Sequence, residues 1–166
     1  MTARQTSGAA PAKRTVTLTR SFAAPDDLVF KAWTDPALMA QWWGPKGFTN
    51  PVCKLDARPG GAIRIHMTAP DGTVYPMTGT FQEVAKAERL VFTTGDFPDA
   101  KGSPRLVGRT IVVFADDDGE TMLTVQSTAT SLPEVAAALK GMESGWTESL
   151  DRLAALLGRL QAGTTA

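Results

Sequence analysis

The sequence predicts a single α+β domain in which a curved antiparallel sheet wraps one long C-terminal helix. Three observations predict it. Between Phe48 and Thr128 strand-like runs follow one another with mostly brief separators, and such short connections require antiparallel neighbours, because a parallel crossover needs a dozen or more residues. After Ser131 an apolar stripe at three- and four-residue spacing continues to Leu160, the mark of one amphipathic helix. A strongly bent sheet covered by a single helix cannot be filled by that helix alone, so a gap is expected under the short helices that precede the sheet.

The elements follow in order. Residues 1–14 carry basic but no acidic side chains and are rich in Ala, Thr, Gly and Ser; they lack the apolar stretch of a secretory signal and read as a disordered tail, leaving one domain over residues 15–161. From Thr15 to Phe22, Val16, Leu18 and Arg20 alternate with Thr15, Thr17 and Thr19 as a first strand. Pro25 ends it, and Asp26 and Asp27 open a short helix, where acids complement the helix dipole. Its apolar face is Leu28, Val29, Ala32 and Trp33. Asp35-Pro36 breaks that helix and starts another, with Leu38, Met39, Trp42 and Trp43 as its buried residues and Gly44-Pro45-Lys46-Gly47 as its end.

The strands are then separated at Arg58–Gly61, Asp71-Gly72, Ala85–Glu88, Gly95–Gly108 and Asp116–Gly119. The Gly95–Gly108 stretch is the longest and reads as a slack loop, with a lid over a cavity mouth as its alternative. Ser131-Leu132-Pro133-Glu134 matches a capping box with Ser131 as N-cap. The stripe Val135, Leu139, Met142, Trp146, Leu150, Leu153, Leu157, Leu160 extends roughly 40 Å at about 1.5 Å per residue. Gly141 and Gly145 interrupt it at about 1 kcal/mol each, which points to close backbone approach or a bend.

Composition excludes several functions. Lys+Arg and Asp+Glu are both 17 in 166 residues, so no net field favours nucleic acid or anionic membrane. No apolar run reaches the roughly 20 residues that span a bilayer. One cysteine, Cys53, and one histidine, His66, supply neither a disulfide nor a zinc site, which fits a reducing, cytoplasmic setting. The glycine pairs lack phosphate-loop and dinucleotide patterns, so no cofactor is implied. Asp116-Asp117-Asp118 lacks calcium-loop spacing and reads as a hairpin turn.

Catalytic groups do not converge. Cys53, Leu55 and Ala57 share one strand face, and Ile63, Ile65 and Met67 share another. If these coincide, Cys53 points inward while Arg64 and His66 point out, with Asp56 opposite Arg64 and Lys54 opposite His66. No thiolate–imidazole dyad survives that arrangement. Asp56, Arg58 and Glu83 read as structural ion pairs. The distinctive feature is the distribution of large apolar side chains: Trp33, Trp42, Trp43, Met142 and Trp146 on the helices, and Met67, Tyr75, Met77, Phe81 and Phe92 on the strands. These are the candidate ligand-binding residues, since Met and Trp suit adaptable apolar cavities.

Taken in order, Ser21-Phe22, Ala24-Pro25, Val29 to Pro36, Trp42-Trp43-Gly44-Pro45, Arg58-Pro59-Gly60-Gly61, Pro70-Asp71-Gly72, Gly79-Thr80-Phe81, Arg89 to Phe92 and Gly145-Trp146 resemble the SRPBCC superfamily. The closer resemblance is to its branch similar to the activator of the ninety-kilodalton heat-shock protein's ATPase. The resemblance implies a helix-grip fold and, in function, non-catalytic binding of a small hydrophobic or amphipathic ligand between sheet and helix. Its alternatives are a co-chaperone-like partner of a chaperone in the stress response and, further off, a cyclase-like enzyme. Homodimerisation is compatible with all three.

Overall fold

A computed structural model describes residues 11–164. Seven strands, β1 (Ala12–Phe22), β2 (Thr49–Leu55), β3 (Ala62–Thr68), β4 (Val74–Ala85), β5 (Arg89–Pro98), β6 (Pro104–Asp117) and β7 (Glu120–Ser131), form one antiparallel sheet in the order β1-β7-β6-β5-β4-β3-β2. Helices α1 (Asp26–Thr34) and α2 (Pro36–Met39) lie between β1 and β2, and the chain ends in a 3₁₀ segment (Pro133–Gly141) and helix α3 (Met142–Thr164). This is the α+β helix-grip-like architecture expected from the sequence. The chain runs from β2 to β7 as a meander, then β1 adds to its last strand.

Several boundaries move. β1 begins at Ala12 rather than Thr15 and pairs with β7 from the start, Ala12 opposite Ser131; residues 1–10 of the expected tail fall outside the described residues. The Gly95–Gly108 stretch is not a lid: β5 and β6 continue to Pro98 and Pro104. A turn closes them, with Asp99 accepting the amides of Lys101 and Ser103 on its side chain. Gly and Pro content suggested a loop, but Gly95 fits because a Cβ there would meet Pro104 at 2.9 Å.

The capping box does not form. Ser131 is the last residue of β7, and its buried hydroxyl has no partner. The helical segment starts at Pro133 with Leu132 at the cap and no side-chain cap bond. Val135 is non-helical (φ −119°, ψ 15°) and kinks the segment near its start, and the stripe is divided between the 3₁₀ segment and α3. Neither glycine is forced by close approach: a Cβ on Gly141 would meet nothing within 4 Å, and one on Gly145 only Pro45, at 4.0 Å.

The core lies between the sheet and the middle of α3, where Leu150, Leu153, Leu156 and Leu157 are buried in one cluster with Val29, Trp33, Leu123 and Val125. Each such side chain contributes roughly 1.5–3 kcal/mol on burial. Asp35 caps α2 by accepting from the Ala37 amide at 2.9 Å, and Trp42 donates its indole N–H to the Ala32 carbonyl at 2.9 Å. That bond fixes the corner between α1 and the loop that follows α2.

Candidate functional site

A groove of about 230 Å³ opens between the middle strands and the start of α3. Its floor is set by strand alternation and register. Phe92 and Thr94 on β5 face Thr110 and Gly108 on β6, which in turn face Ser127 and Ala129 on β7. Gly108 and Ala129 fill little of the middle of that floor. The roof is the junction of the 3₁₀ segment and α3, with Leu139, Gly141, Met142, Gly145 and Trp146, and the side wall is Trp43-Gly44-Pro45. Space exists because small residues meet on the floor and on the roof.

The candidate residues divide. Trp43, Met67, Met77, Phe92, Met142 and Trp146 line the groove. Trp33 and Trp42 are wholly buried and Phe81 nearly so; they pack behind the groove as core rather than lining it. Trp33 stacks on Trp146 with centroids 6.1 Å apart at 23° and meets Trp42 edge-on at 4.7 Å. Tyr75 is also absent from the lining and packs on Phe48 and Phe97 at 6.1 and 6.0 Å. The gap therefore lies beside the loop after α2 and under the start of α3, not under α1 and α2, whose aromatic side chains close that region.

Two residues of consequence were not singled out from the sequence. Arg152 on α3 donates through Nη1 to the carbonyls of Trp43, Gly44 and Pro45 at 2.9–3.1 Å. Through Nη2 it donates to the carbonyls of Gln41 and Phe48 at 3.3 and 3.0 Å. A planar fork of donors suits such a cluster of carbonyls, and the contact holds the groove wall against the helix. Burial draws the guanidinium pKa below its usual value. The second is Asp96 on β5, whose carboxyl is pushed up to about 7 by loss of hydration in the groove wall. Alternation from Leu90 through Phe92 and Thr94 would have brought it to the inner face; the loop assignment hid it.

Polar chemistry in the groove is otherwise sparse. Thr110 and Ser127 share a 2.9 Å hydroxyl–hydroxyl hydrogen bond in the floor, and Ser149 donates to the Gly145 carbonyl at 2.9 Å. Cys53 is partly buried against the core, and burial, with the Asp35 charge second, pushes its thiol up to about 11, the reverse of an activated nucleophile. It stands opposite Ile65. The faces of β2 and β3 are as expected but the register is not: Lys54 faces Arg64, Val52 faces His66, and Asp56 pairs with Arg58 at 2.8 Å. Glu83 pairs with Arg89 at 3.1 Å. Asp116 accepts from the Gly119 amide in a hairpin turn. Among the described residues no cluster of His, Cys, Asp and Glu could hold a metal ion, and no helix is long and apolar enough to cross a membrane.

Residues 23–158 match the family described as activator of Hsp90 ATPase homolog 1-like protein. No curated protein matches the chain significantly. Among solved structures, a protein from Nitrosomonas europaea is 27% identical with a TM-score of 0.75, over 89% of this chain and 96% of that one. A protein from Chromobacterium violaceum is 28% identical with a TM-score of 0.73, over 86% and 96%. The AHSA1 protein from Silicibacter pomeroyi is 26% identical with a TM-score of 0.70, over 87% and 98%.

Proposed function

The chain belongs to the activator of Hsp90 ATPase homolog 1-like family, and from that premise we propose that it binds a small hydrophobic or amphipathic molecule, without catalysis, in the groove between sheet and C-terminal helix. One observation carries this reading: an open space of about 230 Å³ walled by Trp43, Met67, Met77, Phe92, Met142 and Trp146. It therefore takes a small molecule, or one end of a longer one. A reducing, cytoplasmic setting belongs to the same reading, since Cys53 is the sole cysteine.

A chaperone-associated role is the second reading, favoured by the family's description. The exposed large apolar side chains are Val74 on β4, Val107 and Val113 six residues apart on β6, and Leu132 just after β7; this scatter supports a docking face less well than the groove supports a ligand. A cyclase-like enzyme needs a base and an acid in reach of one substrate, and the groove offers a single ionisable side chain.

The test is native mass spectrometry of the protein purified from its own host, together with titration of a hydrophobic fluorophore followed by Trp emission. A retained small molecule, or micromolar fluorophore binding that perturbs Trp43 and Trp146, is the expected result. Absence of both abandons the ligand reading.

A further inference from the structure

The groove wall contains one group that a purely apolar ligand leaves unexplained. Of the side chains that line it, Asp96 alone is ionisable. Asp96 stands in a row with Met77 on β4 and Leu106 on β6, so its strand neighbours on both sides are apolar. Among the described residues the ion-paired acids are Glu143, Asp151, Asp56 and Glu83, not Asp96, and no protein donor bonds its carboxylate. The arginines on surrounding elements are used elsewhere, and Lys101 and Lys140 form no ion pair with Asp96. Arg105 donates to the Phe97 carbonyl at 2.8 Å, Arg14 to the Leu139 carbonyl at 2.7 Å, and Arg152 to the loop carbonyls.

We propose that Asp96 is the recognition group of this groove and selects amphipathic ligands bearing a protonated amine, the nitrogen docking on the carboxylate while the apolar body lies against Trp43, Met67, Phe92 and Trp146. The inference rests on the groove being a ligand site. Its physical basis is that a half-buried carboxylate, poorly hydrated in the groove wall and given no protein partner, gains most from a ligand that brings both charge and N–H donors. Charge-assisted hydrogen bonds of this kind change affinity about ten- to hundredfold. A neutral alcohol head gains less, and a carboxylate head is repelled, so one residue both attracts and excludes. A bound ammonium also favours the ionised form of Asp96 against the burial that raises its pKa.

The experiment compares octylamine, octanol and octanoate, which share one tail, on the full chain and on Asp96→Asn at pH 8, by calorimetry and Trp emission. The alkylamine is protonated at that pH, as a lysine is. The wild type is expected to bind octylamine at least about tenfold more tightly than octanol, with octanoate weakest. Asp96→Asn should bring octylamine to within about threefold of octanol, with octanol itself weakened by a much smaller factor than octylamine. Equal binding of octylamine and octanol by the wild type, or a preference that survives the substitution, overturns the assignment while leaving the groove a ligand site. Loss of octanol binding in the variant also overturns it, by making Asp96 a support of the fold. If none of the three probes binds the wild type, this inference falls, while the ligand reading stands or falls with the native mass spectrum and the fluorophore titration.

Discussion

Replacing Asp96 by Asn should stabilise the protein above neutral pH and have little effect in acid. In the folded chain the Asp96 carboxyl is raised from 3.8 to about 7 by desolvation. Between those values the folded state holds a proton that the unfolded state has released. Stability therefore falls as pH rises through that window, at about 1.4 kcal/mol per pH unit. The full effect is about 4 kcal/mol; the groove is open to water, so roughly 2 kcal/mol is expected above pH 7. Asn keeps the size and removes the charge, so it should recover that amount at pH 8 and nothing below pH 4. Tyr75, Arg105, Asp99, Lys101, Lys140 and Glu143 lie on the elements around Asp96, and subtracting the variant's curve from the wild type's removes their common contribution. Urea midpoints at constant denaturant slope supply the measurement. A difference that stays flat from pH 4 to pH 8, or one that grows toward acid, refutes the assignment of an uncompensated carboxylate.

Trp33→Ala should cost roughly 3–5 kcal/mol because its ring is wholly buried, and Trp146→Ala about 2 kcal/mol because one side of its ring faces the groove. Urea midpoints and fluorophore affinity separate the two, and equal losses of stability would contradict the division into core and cavity. Arg152→Ala should cost about 2–4 kcal/mol and speed hydrogen exchange over residues 41–48, with Lys a poor substitute because it lacks the planar fork; an unchanged exchange pattern would count against the clamp. Cys53 should alkylate far more slowly than a free thiol at pH 8, since its pKa is raised to about 11, and a rate matching that of a model thiol would overturn its place on the core face.

How much of this was legible in the sequence depended on whether a residue's role was local. Strand alternation placed Val16, Cys53, Ile63 and Ile65 on inner faces without any partner being known, because the two-residue period is a property of one strand. The register of β2 on β3 was not legible: Asp56–Arg64 pairing was attractive by charge, yet the observed alignment sets Lys54 against Arg64 and gives Asp56 a neighbour two residues away. Turn length and backbone packing fixed that alignment, and exposed ion pairs are too weak to override them. The Ser131–Glu134 spacing failed for a related reason. Ser131 is claimed by the β1 and β6 pairings, so the strand runs through the position the cap would need. Of the ten candidate residues, those that lie behind the groove share composition with those that line it. Only the packing of α1 against the sheet separates Trp33 from Trp146.

The groove and the carboxylate are each costly to the fold, and they occur together. Were it closed and dry, a void of about 230 Å³ would cost about 5 kcal/mol at the rate seen for buried cavities; solvent entry makes the actual cost smaller. Filling it would be simple in principle, because Gly141 has room for a Cβ and Gly145 nearly so, and Ala at either helical position adds stability of up to about 1 kcal/mol. Replacing Asp96 by an apolar residue would remove the second cost. A loose hairpin end alone accounts for an acid on β5, and an imperfectly covered sheet alone accounts for a gap. Neither accounts for the acid facing the gap, unpaired, while Arg14, Arg105 and Arg152 are each committed to backbone carbonyls. Local rules are broken at one place, and such places are where function is expected. A ligand with an apolar body and a cationic head relieves both costs at once, whereas an apolar ligand relieves one and leaves the other in place.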